Sequence, residues 1–232
     1  MSERLDAIVA ARRRAETLAR MRSLARSGAS SRPGEVAGVP IAGPQERCDI
    51  CGTTVPDDHR HLLHLEERRI VCSCEACWAL HSGDPEYRPS GMRTVWLEGF
   101  DCSEEMWGRF QIPIGLAFLM RSTVSAGVVA FYPSPAGATE SELSLDAWEA
   151  LVKANPVLEE LDPDAEALIV NRLSDPPQFA IAPIDVCYGL VGLIKSRWEG
   201  ISGGAALDRA VPDFFAELRT KATRAPSAGI AK

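Results

Sequence analysis

Cysteine and histidine crowd into one short stretch of this 232-residue chain. Five of its seven cysteines lie between Cys48 and Cys77, and all four histidines lie between His59 and His81. Cys48-Asp49-Ile50-Cys51 and Cys74-Glu75-Ala76-Cys77 are two CxxC units with 22 residues between them. Two such pairs can supply four thiolates to one closed tetrahedral site, with metal–sulfur distances of ~2.3 Å. Gly52 follows the second cysteine and lets the backbone turn so that amides donate to the sulfurs. An odd cysteine count argues for a metal over a disulfide framework. Zinc is the expected ion and iron the alternative. Rubredoxin-type iron also sits between two CxxC units, but with glycine after both, and here Trp78 follows Cys77. Cys72 competes with Cys74 as a ligand, and His81 is a further substitute. Cys74 is preferred because its spacing to Cys77 repeats that of Cys48 to Cys51. His59, His61 and His64 form a weaker candidate for a second site, solvated or packed histidines being the more ordinary reading.

Elsewhere the chemistry is sparse. Residues 93–225 contain no histidine, so a Ser-His-Asp or Cys-His site confined to them lacks its usual base. No GxxxxGK[ST] and no strand-linked GxGxxG cradles a nucleotide. Cys187 sits among Val186, Tyr188 and Leu190 and reads as a small core residue. Cys102 lies beside a helix start, where a thiol acidifies most readily, and is the better reactive candidate. The neighbouring pairs Glu104/Glu105 and Glu159/Glu160 point apart on a helix and make poor acid/base partners. No catalytic residue is assigned.

These residues need elements to hold them. The chain divides into a helical arm at 1–27, a Ser/Gly/Pro-rich linker at 28–46, the cysteine module at 47–82 and an α+β domain at 93–225. Within the module, a knuckle at Cys48–Gly52, a hairpin of 60–65 with 69–72, and a helix after Cys74 make a treble-clef or zinc-ribbon-like layout. About 35 residues bury too little apolar surface to fold unaided, so an ion should supply much of the stability. A Gly/Pro connector at 82–92 follows. The domain then shows a strand-like segment at 94–100 and a short helix capped by Ser103. Strands at 115–121 and 127–132 form a hairpin, and a loop follows at 133–139. A helix from Ser144 is broken at Asn155-Pro156. Strands at 167–173 and 178–182 precede a helix opening at Pro183, which Gly200–Gly204 ends. A last helix is expected from Pro212. The pattern suggests an antiparallel sheet covered on one side by helices.

Net charge is −7, but residues 1–35 carry +4 and the remainder −11. That body opposes phosphate, so nucleic-acid binding by a zinc finger with a basic arm ranks last. No apolar run of ~18 residues suggests a membrane span. The arginine-bearing N-terminus lacks the apolar core of a secretory signal, so the chain reads as soluble and cytoplasmic.

The stretches CDICG, RIVCSCEACWALH, AFLMRSTVSAGVVAFYPSPAGATES and APIDVCYGLVGLIKSRWEG together resemble an actinobacterial-type family catalogued as a domain of unknown function. The resemblance covers roughly residues 45–220. It implies a small CxxC/CxxC module paired with one α+β domain, and a role as an accessory or maturation protein of oxygen-tolerant [NiFe]-hydrogenase systems. It carries over only Cys48, Cys51, Cys74 and Cys77, as metal ligands. The resulting expectation is a non-enzymatic protein that binds a hydrogenase subunit or a maturation factor. A rubredoxin-like iron protein that passes single electrons is the alternative.

Overall fold

Two sheets organise the residues that the computed structural model describes, 46–134, 137–198 and 205–224. The expected arm at 1–27 lies outside them, as do nearly all of the linker at 28–46 and the glycine terminator at 200–204. The described residues belong to one compact unit.

The smaller sheet is antiparallel, in the order β2-β1-β3. Its hairpin joins β1 (Arg60–His64) to β2 (Arg69–Ser73), with His61 opposite Cys72 and Leu63 opposite Ile70. The turn closes through Arg68 at φ 46°. Helix α1 (Glu75–His81) follows directly. The stretch 82–92, expected as a plain connector, contains β3 (Tyr87–Pro89) paired with β1.

The larger sheet has seven strands in the order β10-β4-β9-β8-β5-β6-β7. They are β4 (Val95–Trp96), β5 (Leu116–Ser122), β6 (Gly127–Ser134), β7 (Gly137–Glu142), β8 (Glu166–Asn171), β9 (Gln178–Pro183) and β10 (Thr223–Arg224). All neighbours are antiparallel except β10 with β4. Helices α2 (Glu104–Gly108), α3 (Leu145–Ala154), α4 (Ile184–Arg197) and α5 (Ala205–Lys221) complete the body, with a 3-10 turn at Pro156–Glu160. Ser103 caps α2 as expected, its hydroxyl accepting from the Met106 amide. No helix among the described residues is long and apolar enough to cross a membrane.

Helices on one side only was the wrong expectation: both faces are covered. Phe118, Met120, Phe131, Ile169 and Ala180 pack with Cys187, Leu190 and Ile194 of α4 and Val211 and Phe215 of α5. Leu119, Ala130, Leu168 and Ile181 pack on the other face with Trp148 and Leu151 of α3 and Leu158. All six residues of β8 are buried, which is why its apolar run is continuous rather than alternating.

Three boundaries also differ. The loop expected at 133–139 is mostly strand, the end of β6 pairing with β7. β7 (GATESE) is polar because it is an edge strand. Of the strand expected at 94–100, only Val95–Trp96 pairs. Helix α5 starts at Ala205, with Pro212 inside it. Proline removes one backbone donor, but buried Ala210, Val211 and Phe215 anchor the turns on either side.

Candidate metal centre

The knuckle is drawn together by backbone. Cys48 N donates to Thr53 O at 2.8 Å, and Gly52 N donates to Cys48 O at 2.8 Å. Gly52 adopts φ +78°, the left-handed conformation that glycine takes without steric penalty. The second pair uses a helix start instead. Cys74 is the N-cap of α1, and its sulfur accepts from the Cys77 amide at 3.5 Å. Asp49 ties the knuckle to β2: its amide donates to Cys72 O, and its carboxylate accepts from Cys72 N, both at 2.8 Å.

These elements converge. The sulfurs of Cys48, Cys51, Cys74 and Cys77 all lie within 4.8 Å of one another, and Cys51 and Cys74 are 3.8 Å apart. A tetrahedron with metal–sulfur arms of ~2.3 Å has edges of about 3.8 Å. The group could therefore hold a metal ion with every position filled by protein. Cys48 is buried and Cys51 is exposed.

The electrostatics suit a cation. Burial works against ionising Cys48, but amide donation from Cys51, Cys74 and Ile50 outweighs it and lowers the thiol to about 6. Cys77 moves the opposite way. Burial, and then hydrogen bonding to the sulfurs of Cys51, Cys74 and Cys48, raise its thiol. Four thiols this close cannot all lose their protons unless a positive charge sits among them.

The rivals for the ligand set stand elsewhere. Cys74 leads the helix rather than continuing β2, so Cys72 does not share its direction, and Cys72 groups with His59 and His61. Burial, with Asp49 and Glu46 nearby, raises the Cys72 thiol to about 11. His81 Nδ1 pairs with Asp84 at 2.7 Å. His64 Nδ1 accepts from the Glu67 amide at 3.2 Å and meets Tyr87 edge-on, so it stands apart from the other two hairpin histidines.

Cys187 is fully buried in the core between sheet and α4, and burial drives its thiol well above the usual range. Cys102, the better reactive candidate by its place beside a helix start, does not have an acidified thiol. Its pKa is raised by burial, although the Arg172 guanidinium 3.7 Å away works against that. Glu104 pairs with Arg172 and Glu105 with Arg109, so the adjacent acids face apart.

Sequence reasoning missed Asp185, whose carboxylate accepts from His61 Nδ1 at 2.8 Å and from Ser90 Oγ at 2.7 Å. It lies 124 residues from His61. Its only sequence cue is an acid in the first turn of α4, which is ordinary in any helix.

The chain belongs to the DUF5947 family, a family of unknown function whose model matches residues 47–222. The match takes in both CxxC pairs and ends at the junction of α5 and β10. No curated protein and no solved structure matches the chain.

Proposed function

We propose that this DUF5947 member is a non-enzymatic accessory or maturation protein of the cytoplasm, with a structural zinc held by Cys48, Cys51, Cys74 and Cys77. One observation carries the reading: two separated pairs bring four sulfurs to tetrahedral spacing and leave no position for substrate. When bound, the zinc supplies cohesion. The chain's residues do the rest: the knuckle amides steady Cys48, Cys74 opens α1, and Asp49 anchors the knuckle to β2.

The body would present the surface for a protein partner. Residues 93–225 lack histidine, and the −11 charge of residues 36–232 disfavours nucleic acid. The resemblance noted in the sequence points to a [NiFe]-hydrogenase subunit or maturation factor as that partner. Deleting the gene and assaying hydrogenase activity and subunit processing tests the setting. A fall in either supports it, and unchanged activity with unchanged processing counts against it.

Exposure of Cys51 favours a second reading, in which the same four sulfurs hold iron and pass electrons at the surface. A visible spectrum separates the two. Colourless protein with stoichiometric zinc removes the iron reading, and thiolate-to-iron absorption removes the zinc one.

A further inference from the structure

We propose that His59, His61 and Cys72 form a second, separate metal site for a zinc-type divalent ion, with three protein ligands and one open position. It does not rest on an ion being bound by the four cysteines.

The hairpin register assembles the set. His59 precedes β1 by one residue and His61 follows two later, so strand alternation puts both rings on one face. Cys72 is the cross-strand partner of His61. One ligand atom from each of the three lies within 4.8 Å of the others. This face turns toward the start of α4, where Asp185 sits. The opposite face carries Arg60, whose guanidinium lies 4.1 Å from the centre of the Trp78 ring of α1.

Hydrogen bonding settles which nitrogens remain. His59 Nδ1 contacts the Pro56 carbonyl at 2.8 Å. A carbonyl only accepts, so Nδ1 carries the proton, and in the neutral ring Nε2 then presents a lone pair. The His59 side chain is 3% exposed, and its Nε2 is buried with no hydrogen-bond partner. Leaving such an atom unpaired is unfavourable. Coordination to a cation removes that cost. His61 shows the same arrangement with a stronger acceptor. Its Nδ1 donates to Asp185, which is itself fixed by Ser90 Oγ and the Val186 amide. A carboxylate behind an imidazole orients the ring and raises its basicity toward a metal.

Two histidines that merely pack would account for the 4.5 Å between their ring centres. Packing does not account for the bare Nε2, for the carboxylate behind His61, or for a cysteine at the same point. Two imidazoles and one thiolate are borderline donors that suit zinc, and a set of three leaves room for water or an outside donor. The four-cysteine site is closed. This one is not, and the His61 side chain, 23% exposed, gives access.

Zinc content of the full-length protein, loaded with zinc and then dialysed, tests the site. Two equivalents are expected, falling to one in His59→Gln and in Cys72→Ser. With cobalt in place of zinc, Cys72→Ser should lose one equivalent while intense tetrathiolate absorption persists. If Cys72→Ser fails to fold, His61→Asn with an unchanged circular dichroism spectrum serves instead. Asp185→Asn should weaken the second equivalent by ~10–100-fold, since Asp185 acts through His61. Zinc content insensitive to His59→Gln overturns the site. One equivalent that is lost in Cys77→Ser and kept in His59→Gln does the same. One equivalent lost in His59→Gln and kept in Cys77→Ser supports this site and defeats the four-cysteine reading instead.

Discussion

Helix α1 buries none of its seven residues, whereas α4 buries Ile184, Cys187, Leu190, Val191 and Ile194. Both helices lie against sheets, but different forces hold them there. For α1 the attachments are polar: Cys74 and Cys77 at its start, Arg60 bonded to Glu75 at 3.2 Å, and the same arginine over Trp78. For α4 they are apolar and continuous with a core containing Phe118 stacked on Phe131 at 4.9 Å. The hairpin between them has both characters. One of its faces looks to α1, and Leu63 on the other joins the body's core. Where side chains are too few to exclude water, a bound ion is the remaining way to fix a helix.

The sharpest way to break the comparison is to chelate any metal that the four cysteines hold. Structural zinc in small modules is worth ~10–16 kcal/mol. Chelation should therefore strip hydrogen-exchange protection from 48–52 and 75–81 while β5, β8 and α4 keep theirs. Equal loss in both regions would show that the body depends on the ion as well.

Phe118→Ala comes next. It should cost about 3–5 kcal/mol in urea denaturation, as aromatic deletions in cores do, with zinc content unchanged. Simultaneous loss of zinc would mean that the two regions melt as one.

A smaller effect is expected at the seam. Asp185→Ala removes hydrogen bonds to a charged group, worth about 1.5–3 kcal/mol. Burial alone would raise this carboxyl, but hydrogen bonds from His61 and Ser90 hold it below its usual 3.8. Its stabilising share is thus complete above the unfolded value and disappears as pH falls through the depressed folded one. Melting curves of wild type and variant should converge at that acid end and separate toward neutrality.

The smallest effect belongs to Cys102→Ser. It should shift stability by about 1 kcal/mol and leave metal content untouched. A larger loss of function would give this thiol a role that its raised pKa argues against.

The sequence showed the parts of this fold that depend on local spacing. CxxC pairs, a glycine after one of them and a helix after the other define the knuckle and α1. Short unbroken apolar runs separated by polar turns define the β5–β6 and β8–β9 hairpins. What stayed hidden depends on distant pairing. The second covered face of the sheet shows in the sequence only as unbroken apolar runs along β5, β8 and β9, and an apolar run does not say what covers it. β3 is three residues with proline at its end, and it is a strand only because β1 stands beside it. Among the three hairpin histidines, the odd spacing of His64 from His61 already put it on the other face of a strand, but nothing in the sequence supplied the remaining two with a third ligand. Register did so, by placing Cys72 opposite His61 and bringing in an acid from another helix.

Strand β1 has no face of its own to spare. Leu63, with Leu65 and Ile70 beside it, lies on the body, and the Tyr188 hydroxyl of α4 donates to Arg68 O at 2.7 Å in the hairpin turn. At the far end of the seam, a Cβ on Gly91 would come within 2.6 Å of Glu166 Cγ. The cysteine-bearing segment is therefore not portable. Excised or grafted onto another protein, it would carry a greasy underside and a severed hydroxyl contact, and a partner gripping its outer helix would be pulling on the whole molecule rather than on a tethered finger.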